Sequence, residues 1–122
     1  MQLGPVADRI GTYLDLLAAR QRQVASNIAN ADTPDYKTRD IDFQFEFLAA
    51  LDSSEQKSGQ PLQPDIVEVP GLLTKNDGNN VSLDREARLL AENGIRFNLA
   101  STLFRGQVRL VRNAIQEGKG SL

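Results

Sequence analysis

The chain has 122 residues, of which 40% are hydrophobic and 25% charged, and its net charge is −2. This is the composition of one folded domain, and so small a charge argues against nucleic acid or an acidic membrane as the main partner. The sequence contains no cysteine and no histidine and has no long apolar run, so we expect no disulfide, cofactor, metal site, small-molecule substrate or transmembrane helix.

The first predicted element is a long helix. Pro5 suits a first helical turn, and apolar residues then recur at alternating steps of three and four as far as Ala31. This spacing predicts a helix over about residues 5–30, with Gln21 as the polar member of its apolar stripe. A single stripe of this kind is typical of an ordinary core. The candidate interface residues of this helix are Ile10, Leu14, Leu17, Val24 and Ile28.

The predicted helix ends in a stretch rich in amides, carboxylates and turn formers. Asn27 and Asn30 can bond the last free carbonyls of the helix or cap neighbouring backbone, and Pro34 turns the chain out of the helical region. The ring of Tyr36 can fold back on the helix, with its hydroxyl left to bond. Asp35 after a proline favours a type I turn. The whole stretch reads Ser26-Asn27-Ile28-Ala29-Asn30-Ala31-Asp32-Thr33-Pro34-Asp35-Tyr36.

This stretch resembles the N-terminal signature of the bacterial flagellar rod and hook axial proteins. Residues 37–43 and the later segment 77–81, followed by a helix containing Ala91-Glu92-Asn93, resemble the proximal rod members of that family. The family commonly has glycine at the position of Asp35. The residues that carry the N-terminal match are Ser26, Asn27, Ala29, Asn30, Asp32, Thr33, Pro34 and Tyr36.

A connector follows the signature. Its first part alternates polar and apolar residues over 40–47, which predicts an extended start and then a short helix over about 44–51. The carboxylates in and before this part lack the spacing of a calcium loop, so we expect a solvated turn there. These carboxylates are Asp32, Asp35, Asp40, Asp42 and Glu46.

The second part of the connector has loop composition over residues 52–80. Only residues 65–69 resemble a strand, and the turn at Asp77-Gly78 allows a small hairpin between residues 66–69 and Val81. Composition leaves open whether so long a connector is functional or only a flexible link.

Helical periodicity resumes at Val81 and continues to about Glu117, with Ser82 as the expected N-cap. Its first stripe begins with Leu83, Ala87, Leu90, Gly94 and Phe97. A second stripe joins it over the C-terminal half, and together they span an arc of roughly 160°. The candidate interface residues here are Leu90, Phe97, Leu103, Phe104, Val108, Leu110, Val111 and Ile115.

Three arginines, Arg105, Arg109 and Arg112, lie on the side of this helix away from the apolar arc. A solvated face is the usual role of such a row. The alternatives are contacts with acidic residues of a neighbouring subunit or with phospholipid.

These elements predict a mainly α fold in a single rod-type domain over residues 1–122. An N-terminal helix within 1–31 and a C-terminal helix over 81–118 form a coiled-coil-like pair, and the signature turn and connector, 32–80, contain at most a short helix or small hairpin. Two helices cannot cover the wide apolar arc between themselves, and an exposed patch of that size usually marks an interface. We therefore expect packing between subunits.

The resemblance implies a structural subunit of the proximal rod, which self-assembles into the hollow drive shaft that transmits torque from the basal ring to the distal rod and hook. It implies contacts with copies of itself, other rod subunits, the MS-ring/rod adaptor and the export gate. It also implies a place in the rod that crosses the periplasm, reached through the flagellar type III export apparatus. The first five residues lack the pattern of a cleaved signal peptide.

Three alternatives remain from the sequence. One is a helical adaptor or secretion chaperone that binds a partner helix, and another is a different small rod subunit. The third is an acid–base enzyme using carboxylates and Tyr13 or Tyr36, which the absence of histidine and cysteine argues against.

Overall fold

The computed structural model describes residues 4–44, 46 and 64–120, with only the backbone at 119 and 120. The elements are helix α1 (Pro5–Ala29), strand β1 (Arg39–Ile41), strand β2 (Ile66–Glu68) and helix α2 (Leu83–Gly120). The two helices pack against each other in antiparallel directions, which confirms the mainly α fold with a pair of long helices. Neither helix, over the residues described, is long and apolar enough to cross a membrane.

Helix α1 begins and ends where its local sequence indicates. Pro5 occupies the first turn, where a missing N–H costs no hydrogen bond. At the other end Asn30 is the C-cap, and its side-chain amide donates to the carbonyl of Ser26 over 2.8 Å. The prediction that Asn30 bonds a free carbonyl of the last turn is confirmed.

The turn after α1 differs from the predicted type I turn. The N–H of Tyr36 donates to the carbonyl of Thr33 over 3.3 Å, and Asp35 has a φ of +61°. A positive φ at the third position of a turn that has proline second is the type II geometry that glycine favours. The type I prediction was wrong. The N–H of Asp35 donates to the carbonyl of the distant residue Asp77 over 2.9 Å, and this hydrogen bond holds Asp35 in the left-handed region.

The hairpin that the sequence allowed between residues 66–69 and Val81 is not the pairing that residues 66–68 make. Strand β2 pairs antiparallel with β1, so that Ile66 lies opposite Ile41. Val81 is unavailable for a ladder because its N–H donates to the side chain of Asn79 over 2.8 Å at the entrance to α2. Helical backbone at residues 43, 44 and 46 begins the predicted short helix, whose remainder lies outside the described residues.

Helix α2 begins at its predicted cap. The hydroxyl of Ser82 accepts from the N–H of Arg85 over 3.2 Å, which satisfies one of the free donors of the first turn. The face that α2 turns to the rest of the chain is not its first apolar stripe, however. The buried residues of α2 are Glu86, Leu89, Asn93 and Ala100, whereas Leu83, Leu90 and Phe97 are exposed.

This face of α2 is buried because two of its polar residues form hydrogen bonds with the N-terminal half of the chain. The side-chain amide of Asn93 donates to the carbonyl of Leu17 and to the side chain of Gln21, both over 2.9 Å. Glu86 accepts from Asn27. Apolar periodicity alone leaves polar residues out of a buried face, so it does not identify the face of α2 that packs on α1.

Candidate assembly site

One end of the helix pair is held by a set of polar side chains, which we call the signature junction: residues 27–40 together with residues 77–86. At its centre Asn27 is buried, and its amide donates to the carbonyl of Arg39 over 2.8 Å and to Glu86 over 3.2 Å. Its amide oxygen accepts from the hydroxyl of Tyr36 over 2.9 Å. The predicted fold-back of Tyr36 is therefore confirmed, whereas Asn27 bonds other parts of the chain, not the last carbonyls of its own helix.

Two asparagines of the second segment complete the junction. The amide of Asn79 donates to the carbonyls of Asn30 and Thr33, over 2.9 and 2.8 Å. The side chain of Asn80 accepts from the N–H of Thr38 over 2.6 Å. Both asparagines are buried, and buried amides with all these partners fix one arrangement of the backbone around them. The two segments that resemble the rod family therefore bind each other.

A charged cluster lies beside these amides. Asp40 is buried and forms ion pairs with Arg20 (3.0 Å) and Arg85 (2.7 Å), and Arg85 also pairs with the fully buried Glu86 (2.6 Å). The prediction that Asp40 belongs to a solvated turn was wrong. The sequence did not reveal that β1 brings this carboxylate between two arginines from different helices.

Aromatic contacts anchor the same segment to α1. The ring of Phe43 meets that of Tyr13 edge to face, with centroids 5.6 Å apart. The guanidinium of Arg20 lies 5.6 Å from the centroid of the Phe43 ring, a cation–π geometry.

Gly78 is required for the close approach of the two segments. Its φ is +85°, and a Cβ at this position would lie 2.1 Å from the carboxylate Oδ1 of Asp35 and 3.2 Å from its Cα. The carbonyl of Gly78 also accepts from the ammonium of Lys37. A side chain at this position would push the signature turn away from the loop that leads into α2.

The other feature of the site is a pair of exposed apolar stripes on α2. At 100° per residue they lie on opposite flanks of the buried face. Leu103 and Leu110 are 53% and 62% exposed, although both are large and apolar. Stripe A comprises Leu83, Leu90, Phe97 and Ile115, and stripe B comprises Ile95, Leu99, Leu103 and Leu110.

A groove runs beside each stripe, between α1 and α2. The groove beside stripe B has a volume of about 360 Å³, and Ile10 and Tyr13 face Leu99 and Leu103 across it. The groove beside stripe A has a volume of about 370 Å³, and Ala18 faces Gly94 and Phe97. Each stripe is therefore continuous with a groove that α1 helps to form.

The predicted interface residues fall into three groups in the structure. Leu17 and Val24 are buried within the chain's own helix pair. Those that are partly covered are Ile10, Leu14, Phe104, Val108 and Val111, and those that are exposed are Ile28, Leu90, Phe97, Leu103, Leu110 and Ile115. Contacts of these residues with a neighbouring subunit stay a prediction.

Several polar residues that join the two helices were not predicted as site residues. The sequence carries a signal for two of them, because Glu86 and Asn93 are polar residues at helical spacing from buried positions of α2. The pairing of Arg20 and Arg85 with Asp40 has no such signal, since it depends on three segments that are far apart in the chain.

Two long terminal helices, joined at one end by a polar junction and carrying exposed apolar stripes, define a coiled-coil-like structural protein. The sequence profile described as "Flagella basal body rod protein" matches residues 14–37, from the middle of α1 through the signature turn. The flagellar basal body rod protein FlgB of Escherichia coli (strain K12) is 33% identical over 122 residues, which covers 86% of this chain and 88% of that protein.

Similar proteins occur in other bacteria. FlgB of Salmonella typhimurium is 32% identical over 123 residues, covering 86% of this chain and 88% of that protein. FlgB of Borrelia hermsii is 28% identical over 109 residues, covering 75% and 81%. The chain belongs to the FlgB family of flagellar basal body rod proteins.

Proposed function

We propose that this chain, a structural subunit of the flagellar proximal rod, builds the wall of a hollow shaft by packing stripes A and B against neighbouring subunits. The observation that carries the proposal is the exposure of eight large apolar side chains on two flanks of one helix. Burying the remaining half of eight such side chains is worth on the order of 6–12 kcal/mol per subunit before the cost of ordering.

The arrangement of the stripes supports contacts with two different neighbours. Stripe A and stripe B lie on opposite flanks of α2, so a neighbour that covers one leaves the other open. When stripe A of one subunit packs against stripe B of the next, every subunit makes the same two contacts. Contacts of this head-to-tail kind build closed rings or open helical tubes.

The signature junction supplies the stiffness that such a subunit needs. Its amides and charges are buried and bonded across three segments, so the angle between α1 and α2 is fixed at that end. A shaft that transmits torque must resist changes of that angle in each subunit.

The finer assignments follow from the family. We propose contacts with copies of this chain, with other rod subunits, with the MS-ring/rod adaptor and with the export gate. The chain would reach the rod, which crosses the periplasm, through the flagellar type III export apparatus without a cleaved signal. A structural role, with no catalysis, suits the absence of histidine and cysteine and the names of the relatives.

The test is Leu103→Asp in cells that lack the native copy. Leu103 is half exposed in the isolated chain, so the fold should persist, but an assembled rod would have to bury an unpaired carboxylate at every subunit, at a cost of several kcal/mol each. We expect cells without motility and purified basal bodies without complete rods, while the protein is still exported.

The matched control is Thr102→Asp, which places the same charge one residue away, at an exposed position about 100° around the helix from Leu103. We expect it to assemble. Normal rods with Leu103→Asp would contradict the proposal. A helical adaptor or chaperone would instead form a small complex of fixed size, and export of another protein would depend on it.

A further inference from the structure

Strand β1 has one edge that pairs with β2 and one edge that a side chain closes. The amide of Asn27 donates to the carbonyl of Arg39 over 2.8 Å and accepts from the N–H of Arg39 over 3.3 Å. These are the two hydrogen bonds that a neighbouring antiparallel strand would make, so Asn27 takes the place of a strand on that side of β1. The sheet can therefore gain a further strand only beside β2.

The outer edge of β2 is open. In an antiparallel pair the N–H and C=O of one residue point to the same side, and successive residues alternate between sides. The N–H of Val69 donates to the carbonyl of Thr38 over 3.0 Å. Val67 therefore also points to β1, whereas Ile66 and Glu68 point outward. No residue in the described part of the chain bonds the outward N–H and C=O groups of these two residues, which we call the open edge.

The side chains of β2 leave the open edge accessible. Ile66 and Val67 are 53% and 49% exposed, and Glu68 is exposed as well. Pro64 and Pro70 stand on either side of the strand, and proline has no N–H with which to extend a ladder. The strand thus presents a short, partly apolar segment with unpaired backbone, which is the kind of edge that a further strand binds.

A second copy of β2 matches the open edge. When two β2 strands run antiparallel with Val67 opposite Val67, Ile66 of each copy lies opposite Glu68 of the other. All outward groups of both copies then have partners, which gives four hydrogen bonds between the copies. The two Val67 side chains meet at the centre on the same face of the sheet. A shift by one residue would place outward groups opposite groups that already point to β1.

The charges around this contact are mixed. Glu68 of one copy lies diagonally from Glu68 of the other at roughly 7–8 Å, and Arg39 lies opposite Glu68 on β1 of the same copy. Asp65 faces Val69 of the other copy, and its N–H donates to the carboxylate of Glu46 in its own copy over 3.2 Å. Each copy thus brings three carboxylates and one guanidinium, so backbone hydrogen bonds hold the contact and like charges weaken it.

We propose that two copies of the free chain pair through their open edges into a four-stranded sheet of order β1–β2–β2–β1. The contact has two-fold symmetry and closes after two copies, because each copy has one open edge. It goes beyond the proposed function, since it holds unassembled copies in a pair that does not propagate, unlike the head-to-tail packing of stripes A and B. Three residues make a small interface, so we expect a Kd on the order of 0.1–1 mM.

The test uses the absence of cysteine from the chain. Val67→Cys places one thiol of each copy at the two-fold axis, where the Cβ atoms of opposite residues lie about 4.5–5.5 Å apart or closer, near the separation that a disulfide needs. The matched control is Leu73→Cys, at a position that is 94% exposed but outside the strand. At concentrations near the Kd we expect air oxidation to cross-link Val67→Cys at least about tenfold faster than Leu73→Cys.

Two substitutions at Glu68, each added to Val67→Cys, separate the backbone from the charge. Glu68→Pro removes an N–H that points away from β1, so the β1–β2 pair should persist while the contact loses two of its four hydrogen bonds. We expect cross-linking to fall at least about tenfold. Glu68→Gln keeps the N–H and removes the like charges, so it should cross-link at least as fast as Val67→Cys alone. Circular dichroism of each variant checks that the helices persist.

Equal cross-linking rates of Val67→Cys and Leu73→Cys would overturn the proposal, and so would a rate that Glu68→Pro leaves unchanged. Pairing through the stripes gives a different pattern, because cross-linking would then fall when Leu103→Asp is added to Val67→Cys. The open-edge contact predicts an unchanged rate with Leu103→Asp. A strand of another protein as the occupant predicts that the chain stays monomeric in sedimentation equilibrium above the expected Kd, and that result also overturns the proposal.

Discussion

At the junction end of the helix pair, Asn27, Asn79 and Glu86 are at most 1% exposed and each bonds a distant part of the chain. On the far half of α2, Leu103 and Leu110 are more than half exposed. The chain thus buries polar groups at the junction and leaves large apolar groups exposed along α2. This distribution is understandable if the junction is completed within one chain and the stripes are covered by neighbouring subunits.

The comparison predicts that mutations affect the two regions differently in the isolated chain. Changes at the junction should reduce the free energy of unfolding, because its contacts are internal. Changes on the stripes should leave that free energy nearly unchanged and act on assembly.

The largest effect is expected for Asp40→Ala. Removal of this buried carboxylate leaves the partly buried Arg20 without its counter-charge and Arg85 with Glu86 as its one remaining ion-pair partner among the described residues, which costs about 3–5 kcal/mol. Urea unfolding of the purified chain, followed by circular dichroism, measures this change. The control Asp32→Ala removes an exposed carboxylate and should change stability by less than about 0.5 kcal/mol. Equal effects of the two substitutions would show that the junction is not the stable end.

The next prediction compares two adjacent leucines of α2. Leu89 is 8% exposed and Leu90 is 41% exposed, although the sequence favoured Leu90 as the stripe residue. We expect Leu89→Ala to cost about 2–4 kcal/mol in the isolated chain, whereas Leu90→Ala should cost less than about 1 kcal/mol. Both substitutions have the same effect on helix propensity, so the difference reports burial alone. A larger loss for Leu90→Ala would contradict the packing of α2 on α1 through Leu89.

Much of the fold could be predicted because the signals are local. The partners of several residues are close in the chain, so the sequence context specifies the contacts. These residues are Pro5, Asn30, Tyr36 and Ser82. The long helical periodicities likewise specified two terminal helices.

The remaining features depend on contacts between distant segments. Asp40 is buried because β1 lies between Arg20 and Arg85. The left-handed backbone of Asp35 depends on a loop more than 40 residues further along the chain. Neither propensity nor periodicity carries information of this kind, so the polar face of α2 and the pairing of β1 with β2 could not be derived from the sequence.

The central claim is that the part of α2 furthest from the junction, which carries Leu103, Leu110 and Ile115, is completed by neighbouring subunits. Hydrogen exchange measures this directly, because amides exchange slowly where the local structure is stable. In dilute monomer we expect slow exchange at the junction, over residues 27–40 and 79–86, and fast exchange over residues 103–118. In purified rods the latter segment should become protected while the junction changes little. Strong protection over residues 103–118 in a sample shown to be monomeric would contradict the account.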